Sequence, residues 1–267
     1  MSAADDQVQL GFDGMPRRLY SAAPTRLLAY LDCPRRYRLT YLDRPAPAKG
    51  PPWAHNSVGA AVHGALAGWW RLPLEERTPQ AGARLVERGW LPDGFRDDRQ
   101  CAMQRERAAA MVAAYLTDVD PADEPVAVER TVSLTTTCAA LWGRADRIDE
   151  RPGEGLVVVD YKTGRHLLTV DDAQASLAMA VYAAATARTL RRECRRVELH
   201  HLPSAQVLAW QHTDESLQRH LRRADSLAAE VARVDEAFYV GMSPEQADEL
   251  FPARPGPRCG WCDLNRV

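Results

Sequence analysis

The chain has 267 residues, 34 basic and 36 acidic side chains giving a formal charge of −2, and a 46% hydrophobic content, enough for one sizeable core. Near-neutral charge excludes nucleic-acid binding by bulk charge, so any positive field has to be local. The longest apolar stretch, near 175–187, is too short to span a membrane, and the N-terminal Met1-Ser2-Ala3-Ala4-Asp5-Asp6 has no apolar signal core, so a cytoplasmic location is expected. Six cysteines in that setting point to metal, cluster or free-thiol use rather than a disulfide framework.

Residues 1 to about 20 lack periodicity and read as a loose tail, with Leu10 and Phe12 as its apolar anchors. Pro24 suits the first turn of a helix that carries Leu27, Leu28, Tyr30 and Leu31 and runs towards Cys33-Pro34-Arg35-Arg36-Tyr37. A linker at 49–52 precedes an amphipathic helix over 57–70 whose small residues allow close packing. Its lone His63 reads as a packed core histidine or as a ligand. Residues 74–90 read as helix or loop, 96–116 as a helix enclosing Cys101, and 121–125 as a break. Residues 126–134 alternate as a strand, on which Glu129 reads as solvated or ion-paired, with approach to a metal site as the alternative.

Residues 141–149 form the next strand, and Glu150-Arg151-Pro152-Gly153-Glu154-Gly155 is turn chemistry. Leu156-Val157-Val158-Val159 is a short β-branched run expected to be buried on both faces, and it ends in Asp160-Tyr161-Lys162-Thr163-Gly164. Strand alternation puts Asp160 and Lys162 on one side and Tyr161 on the other. The bland reading is a structural Asp–Lys pair. The hairpin, however, can bring Asp146 beside them, and two carboxylates with a lysine suit a hard divalent cation such as Mg²⁺. A long helix is expected over 170–190, a strand over 195–202 with its hairpin mate at 207–210, and a helix over 213–238. Basic clusters at Arg35, Arg36 and Arg38, at Arg188, Arg191, Arg192, Arg195 and Arg196, and at Arg222 and Arg223 are most simply solvated faces. The tail over 252–267 is loop chemistry containing Cys259-x-x-Cys262, which alone fits a zinc knuckle, a redox pair or part of a cluster.

Gly143-x-x-Asp146 followed by Asp160-Tyr161-Lys162 resembles the core of PD-(D/E)xK nucleases. Three further segments narrow the resemblance to RecB-type nucleases and their small relatives, which include CRISPR-adaptation nucleases. They are Cys33-Pro34-Arg35-Arg36-Tyr37, the Gly59, His63 and Leu66 pattern, and the Cys259/Cys262 tail. The resemblance covers nearly the whole chain. It implies a restriction-endonuclease-like α/β fold over 21–267: a mixed sheet flanked by helices, with an N-terminal helical region and a C-terminal cysteine clasp built from about 24–42 and 252–267.

The implied function is a Mg²⁺- or Mn²⁺-dependent DNA nuclease, an exonuclease acting on single strands or DNA ends in repair, recombination or defence, with a helicase or CRISPR partner. His63, Asp146, Asp160 and the Tyr161 carbonyl would bind metal, with Asp146, Asp160 and Lys162 as the catalytic set. Cys33, Cys259 and Cys262 would ligate a 4Fe–4S cluster whose fourth cysteine falls one position beyond Val267. A family motif Gln-x-x-x-Tyr is present as Tyr182 but with Ala178 at the Gln position, leaving Gln174, one turn earlier, as the stand-in for a substrate contact. The rivals are a catalytically inactive nuclease-fold DNA-binding or assembly subunit, and a zinc module.

Overall fold

Six strands form one mixed sheet. The protein is known from a computed structural model, which describes residues 19–50 and 52–265. Most of the expected N-terminal tail, with Leu10 and Phe12, lies outside the described residues, but its last residue does not behave as tail. Tyr20 opens a short strand, β1 (Tyr20–Ala22), parallel to β3 (Ala139–Arg151). The sheet order is β1-β3-β4-β5-β6, with β2 (Ala127–Thr135) pairing antiparallel to β3 off this path. β4 (Gly155–Lys162) is antiparallel to β3 and parallel to β5 (Cys194–His201), and β6 (Gln206–Gln211) closes the edge against β5.

The centre of the sheet follows from the β4 sequence. Leu156, Val157, Val158 and Val159 are all fully buried. A strand covered on both faces reads as a continuous apolar run, and each such side chain contributes roughly 1.5–3 kcal/mol by leaving water. On one face Val157, Val159 and Tyr161 pack against α3 (Ala54–Trp69), α4 (Pro79–Arg88) and α5 (Asp98–Thr117) through Val62, Leu66, Trp69, Val86 and Val112. On the other, Val158 and Ile148 pack against Met179 and Ala183 of α7 (Leu177–Leu190). The N-terminal helices α1 (Pro24–Asp32) and α2 (Pro34–Tyr41) share a third apolar cluster with α8 (Asp214–Val240).

One new helix starts directly after α1 and one expected helix is divided, each for a local reason. Pro34 disfavours the helical region at Cys33, which is extended and caps α2 by accepting the Arg36 N–H on its sulfur at 3.5 Å. The single helix expected over 170–190 breaks at Ser176, between α6 (Val170–Ala175) and α7. The Ser176 hydroxyl accepts the Met179 N–H, so a serine that competes with helical hydrogen bonding starts a new helix. The sequence also conceals α9 (Pro244–Leu250), whose Ser243 and Gln246 form a capping box.

Candidate active site at the end of strand β4

Three elements meet where β4 leaves the core. The β3–β4 register pairs Arg147 with Val159, which sets Asp146 across from Asp160. The Asp146 carboxylate accepts the backbone N–H of Tyr161 at 2.9 Å, and the same oxygen lies 3.2 Å from Nδ1 of His63 on α3. The Lys162 ammonium lies 2.5 Å from the Asp160 carboxylate. The expected pair and the expected histidine therefore come together, and Tyr161 points the other way, its ring buried and edge-on to His63 at 6.0 Å.

A break in strand alternation aims these groups. Ala145 packs on the α7 side of the sheet, yet Arg147, two residues on, lies on the α3 side over Trp70 and Tyr161. The face changes at Asp146. Opposite it on β2 stands Glu129, whose φ of 51° is left-handed and costly for a residue with a Cβ. Glu129 is thereby turned in. His63, Glu129 and Asp146 each offer a ligand atom, and these atoms all lie within 4.8 Å of one another. Glu129 also pairs with the exposed Arg144. Its membership departs from the reading of a merely solvated or paired glutamate. No sequence signal separates it from other strand acids.

Asp160 is not a member of this three-atom group among the described residues; it adds its charge from the adjacent strand. Burial raises its pKa. Lys162 opposes that rise and Asp146 adds to it, leaving the carboxyl above its ordinary value. For His63, burial favours the neutral ring, but the hydrogen bond and charge of Asp146, with Asp160 and Glu129 behind it, prevail and raise its pKa. Three carboxylates thus converge with one ammonium and one exposed guanidinium. A divalent cation would relieve that crowding, and an imidazole with carboxylate oxygens is a donor set such an ion accepts. The residues present fit the metal.

Tyr182 of α7 borders the same carboxylates. Burial, then the charges of Asp160 and Asp146, push its phenol up to about 12. Its ring covers Gly143: a Cβ there would lie 2.2 Å from a Tyr182 ring carbon. This accounts for the glycine three residues before Asp146. Gln174 is on α6, across the Ser176 break from Tyr182, so it is not one turn earlier on the same helix. Its carbonyl faces His220 at 3.2 Å.

The cysteines do not form a single-ion site. Among the described residues, Cys33, Cys259 and Cys262 do not form a set of sulfurs within 4.8 Å of one another, as the donors of a single ion must. The two ends of the chain are nevertheless joined by hydrogen bonds. Arg35 N–H donates to the Pro252 carbonyl, Arg254 to the Leu31 carbonyl, and Arg258 to Asp32 at 2.7 Å. Six of the ten arginines of the basic clusters are engaged by carboxylates: Arg35 and Arg38 by Asp248, Arg36 by Asp32, Arg192 by Glu150, Arg195 by Glu193 and Asp214, and Arg196 by Glu154 and Glu198.

The family model of the PD-(D/E)XK nuclease superfamily matches residues 21–267. The chain belongs to that superfamily. Among solved structures, this PD-(D/E)XK chain resembles one from Eubacterium rectale named "Putative exonuclease", with a TM-score of 0.50, 14% sequence identity and 82% of each chain covered. At that identity the likeness bears on the fold, a mixed sheet flanked by helices of the restriction-endonuclease type. A comparison with curated proteins found no match. No helix among the described residues is long and apolar enough to cross a membrane.

Proposed function

We propose that residues 21–267 form one nuclease domain that hydrolyses DNA phosphodiesters with Mg²⁺ or Mn²⁺, working from strand ends as an exonuclease. The observation that carries this reading is the convergence of His63, Glu129 and Asp146 donor atoms within 4.8 Å, beside the Asp160–Lys162 pair at the end of β4. A divalent cation bound there would supply Lewis-acid stabilisation of the phosphate charge and lower the pKa of a bound water. The residues that would hold it are His63, Glu129, Asp146 and Asp160, with the Tyr161 carbonyl next to them in sequence.

The chain's own groups do the rest. The Tyr161 N–H fixes the Asp146 carboxylate, so that ligand is oriented before substrate arrives. Lys162, partly exposed on the same side of β4 as Asp160, holds the attacking water through Nζ and offsets the developing charge on the phosphate. Tyr182 walls the carboxylates on the α7 side and faces the substrate. A helicase, repair or CRISPR partner would deliver the DNA end.

The test is cleavage of end-labelled linear and circular DNA, single-stranded and duplex, with Mg²⁺, Mn²⁺ or EDTA. Linear DNA should be cut only with metal, circles should survive, and Lys162→Ala should lose at least 100-fold in rate while binding DNA. Undiminished metal-dependent cutting by Lys162→Ala or Asp160→Ala would remove the assignment.

A further inference from the structure

Outside the carboxylate site, an exposed aromatic surface lies at the start of the helix that carries His63. Trp53 caps α3, His55 is in its first turn, and Trp261 comes from the C-terminal tail. The three rings touch in pairs. Trp53 and His55 are near-parallel with centroids 6.5 Å apart, and Trp261 stands edge-on to both, 5.3 Å from Trp53 and 6.1 Å from His55. Trp261 is 64% exposed and His55 is also exposed. A tryptophan is rarely left so open without use, and here its neighbours are aromatic as well.

The cluster is held in place. The Gly50 N–H donates to the Asp263 carbonyl at 2.9 Å, tying the tail to the segment before α3. Gly94, at φ +86°, brings its turn so close that a Cβ would lie 2.3 Å from the Pro52 carbonyl oxygen. The Ser57 hydroxyl donates to the Asp93 carbonyl at 2.8 Å. The rings are therefore a preformed surface rather than a mobile fringe.

From the cluster a path leads to the carboxylates. His55, Gly59 and His63 recur at four-residue intervals on one side of α3, and eight residues span about 12 Å. Halfway along, Gly59 has no side chain, and the atom nearest to a Cβ there would be the Thr163 hydroxyl at 3.7 Å, one residue past Lys162. Positive charge flanks this path. Arg165 is exposed, Arg258 is 80% exposed although it meets Asp32, and Lys49 is 55% exposed although Asp263 lies 3.9 Å away. On a molecule of net charge −2 these side chains are local partners for a phosphate backbone. Open aromatic faces beside basic side chains are the recognition chemistry of single-stranded nucleic acid. Unpaired bases can stack on such faces, whereas a duplex keeps its bases stacked on each other.

We propose that Trp261, His55 and Trp53 form a stacking platform for single-stranded DNA, which holds the strand three or four nucleotides (about 12 Å at 3.4 Å per nucleotide) from the phosphate at the His63–Asp146–Asp160 site. The proposal deepens the nuclease reading and rests on it for the direction of the strand. It makes the platform the element that selects single strands over duplex.

The probes are a fluorescein-labelled twelve-nucleotide thymidine strand and the corresponding duplex, with binding read by anisotropy in EDTA, where no cutting occurs. Trp261→Ala should weaken single-strand binding by about 5- to 100-fold, the range expected for losing one stacked base. His55→Ala should weaken it less, Trp261→Phe should restore most of it, and duplex affinity should stay within two-fold. If Trp261→Ala and His55→Ala both bind the single strand within two-fold of wild type, or lose duplex binding to the same degree, the platform is overturned. The catalytic reading is scored separately by Lys162→Ala cleavage. Loss of cutting in that variant with unchanged binding by Trp261→Ala rejects the platform alone. Retained cutting in Lys162→Ala with weakened binding by Trp261→Ala rejects the catalytic assignment alone.

Discussion

Gly143 and Tyr182 show how a residue without chemistry can govern residues that have it. The Tyr182 ring occupies the space a Cβ on Gly143 would need, 2.2 Å away, so the glycine sets how closely α7 approaches the carboxylates. Gly143→Ala should destabilise the protein by about 1–3 kcal/mol, the usual cost of overpacking, and should lower DNA cleavage by displacing Tyr182. Urea denaturation and cleavage rates measured on the same samples check both. Gly143→Ala combined with Tyr182→Leu should recover stability without recovering activity. The glycine belongs to a sequence motif, but the motif gives no reason for it; the reason is a ring from a helix 39 positions later.

At the scale of elements, strands β3, β4 and β5 are fastened on the α5 face by charge as well as by their ladder. Glu198 of β5 is fully buried and accepts from Arg151 at 2.7 Å, from Arg196 at 2.9 Å and from His200 at 2.9 Å, while His200 meets the Tyr115 hydroxyl at 2.8 Å. Burial alone would raise the pKa of this carboxyl. The hydrogen bonds from His200, Arg151 and Arg196 outweigh burial and hold it far below the ordinary glutamate value of 4.5. The carboxylate is thus favoured more in the folded than in the unfolded chain. Its contribution is complete above about pH 4.5 and is lost as pH falls towards the lower folded value. Glu198→Gln should cost on the order of 3 kcal/mol at pH 7, because three donors lose their charged partner. The gap between wild type and variant, followed by urea midpoints from pH 7 to 3, should be constant down to about pH 4.5 and narrow below it. Strand alternation puts Glu198 and His200 on one face of β5, where they meet at 2.9 Å. The partner arginine, Arg151, was assigned to a turn and instead ends β3.

Across the whole molecule, the N-terminal helices are tied to the long α8 by one buried cluster. Asp235 accepts from Tyr37 at 2.8 Å, from Tyr20 at 3.0 Å and from Arg26 at 2.9 Å. Residues more than 190 positions apart are thereby fixed together, and β1 is held to the sheet. Asp235→Ala would strand two buried hydroxyls and a half-buried guanidinium and should lower stability by about 3 kcal/mol. Because the cluster lies away from His63 and Lys162, the variant should keep its cleavage rate at temperatures well below its melting point. Thermal unfolding and cleavage at 20 °C would show the split.

The sequence by itself determined the β3–β4 hairpin, the buried β4 strand and the grouping of Asp146, Asp160 and Lys162, because hydrophobic periodicity and turn residues act over a few positions; His63 stood out only through the resemblance to RecB-type nucleases. It also marked the helices at α3, α5 and α8. It did not reveal the β1 strand, whose three residues carry no periodic signal, or the break at Ser176, where a serine cap overrides an otherwise helical run. Only the tertiary structure decided that Glu129 joins His63 and Asp146, since the three come from separate elements. It alone decided that Trp53, His55 and Trp261 meet. Contacts between residues two hundred positions apart depend on how whole elements pack, and no local pattern encodes that.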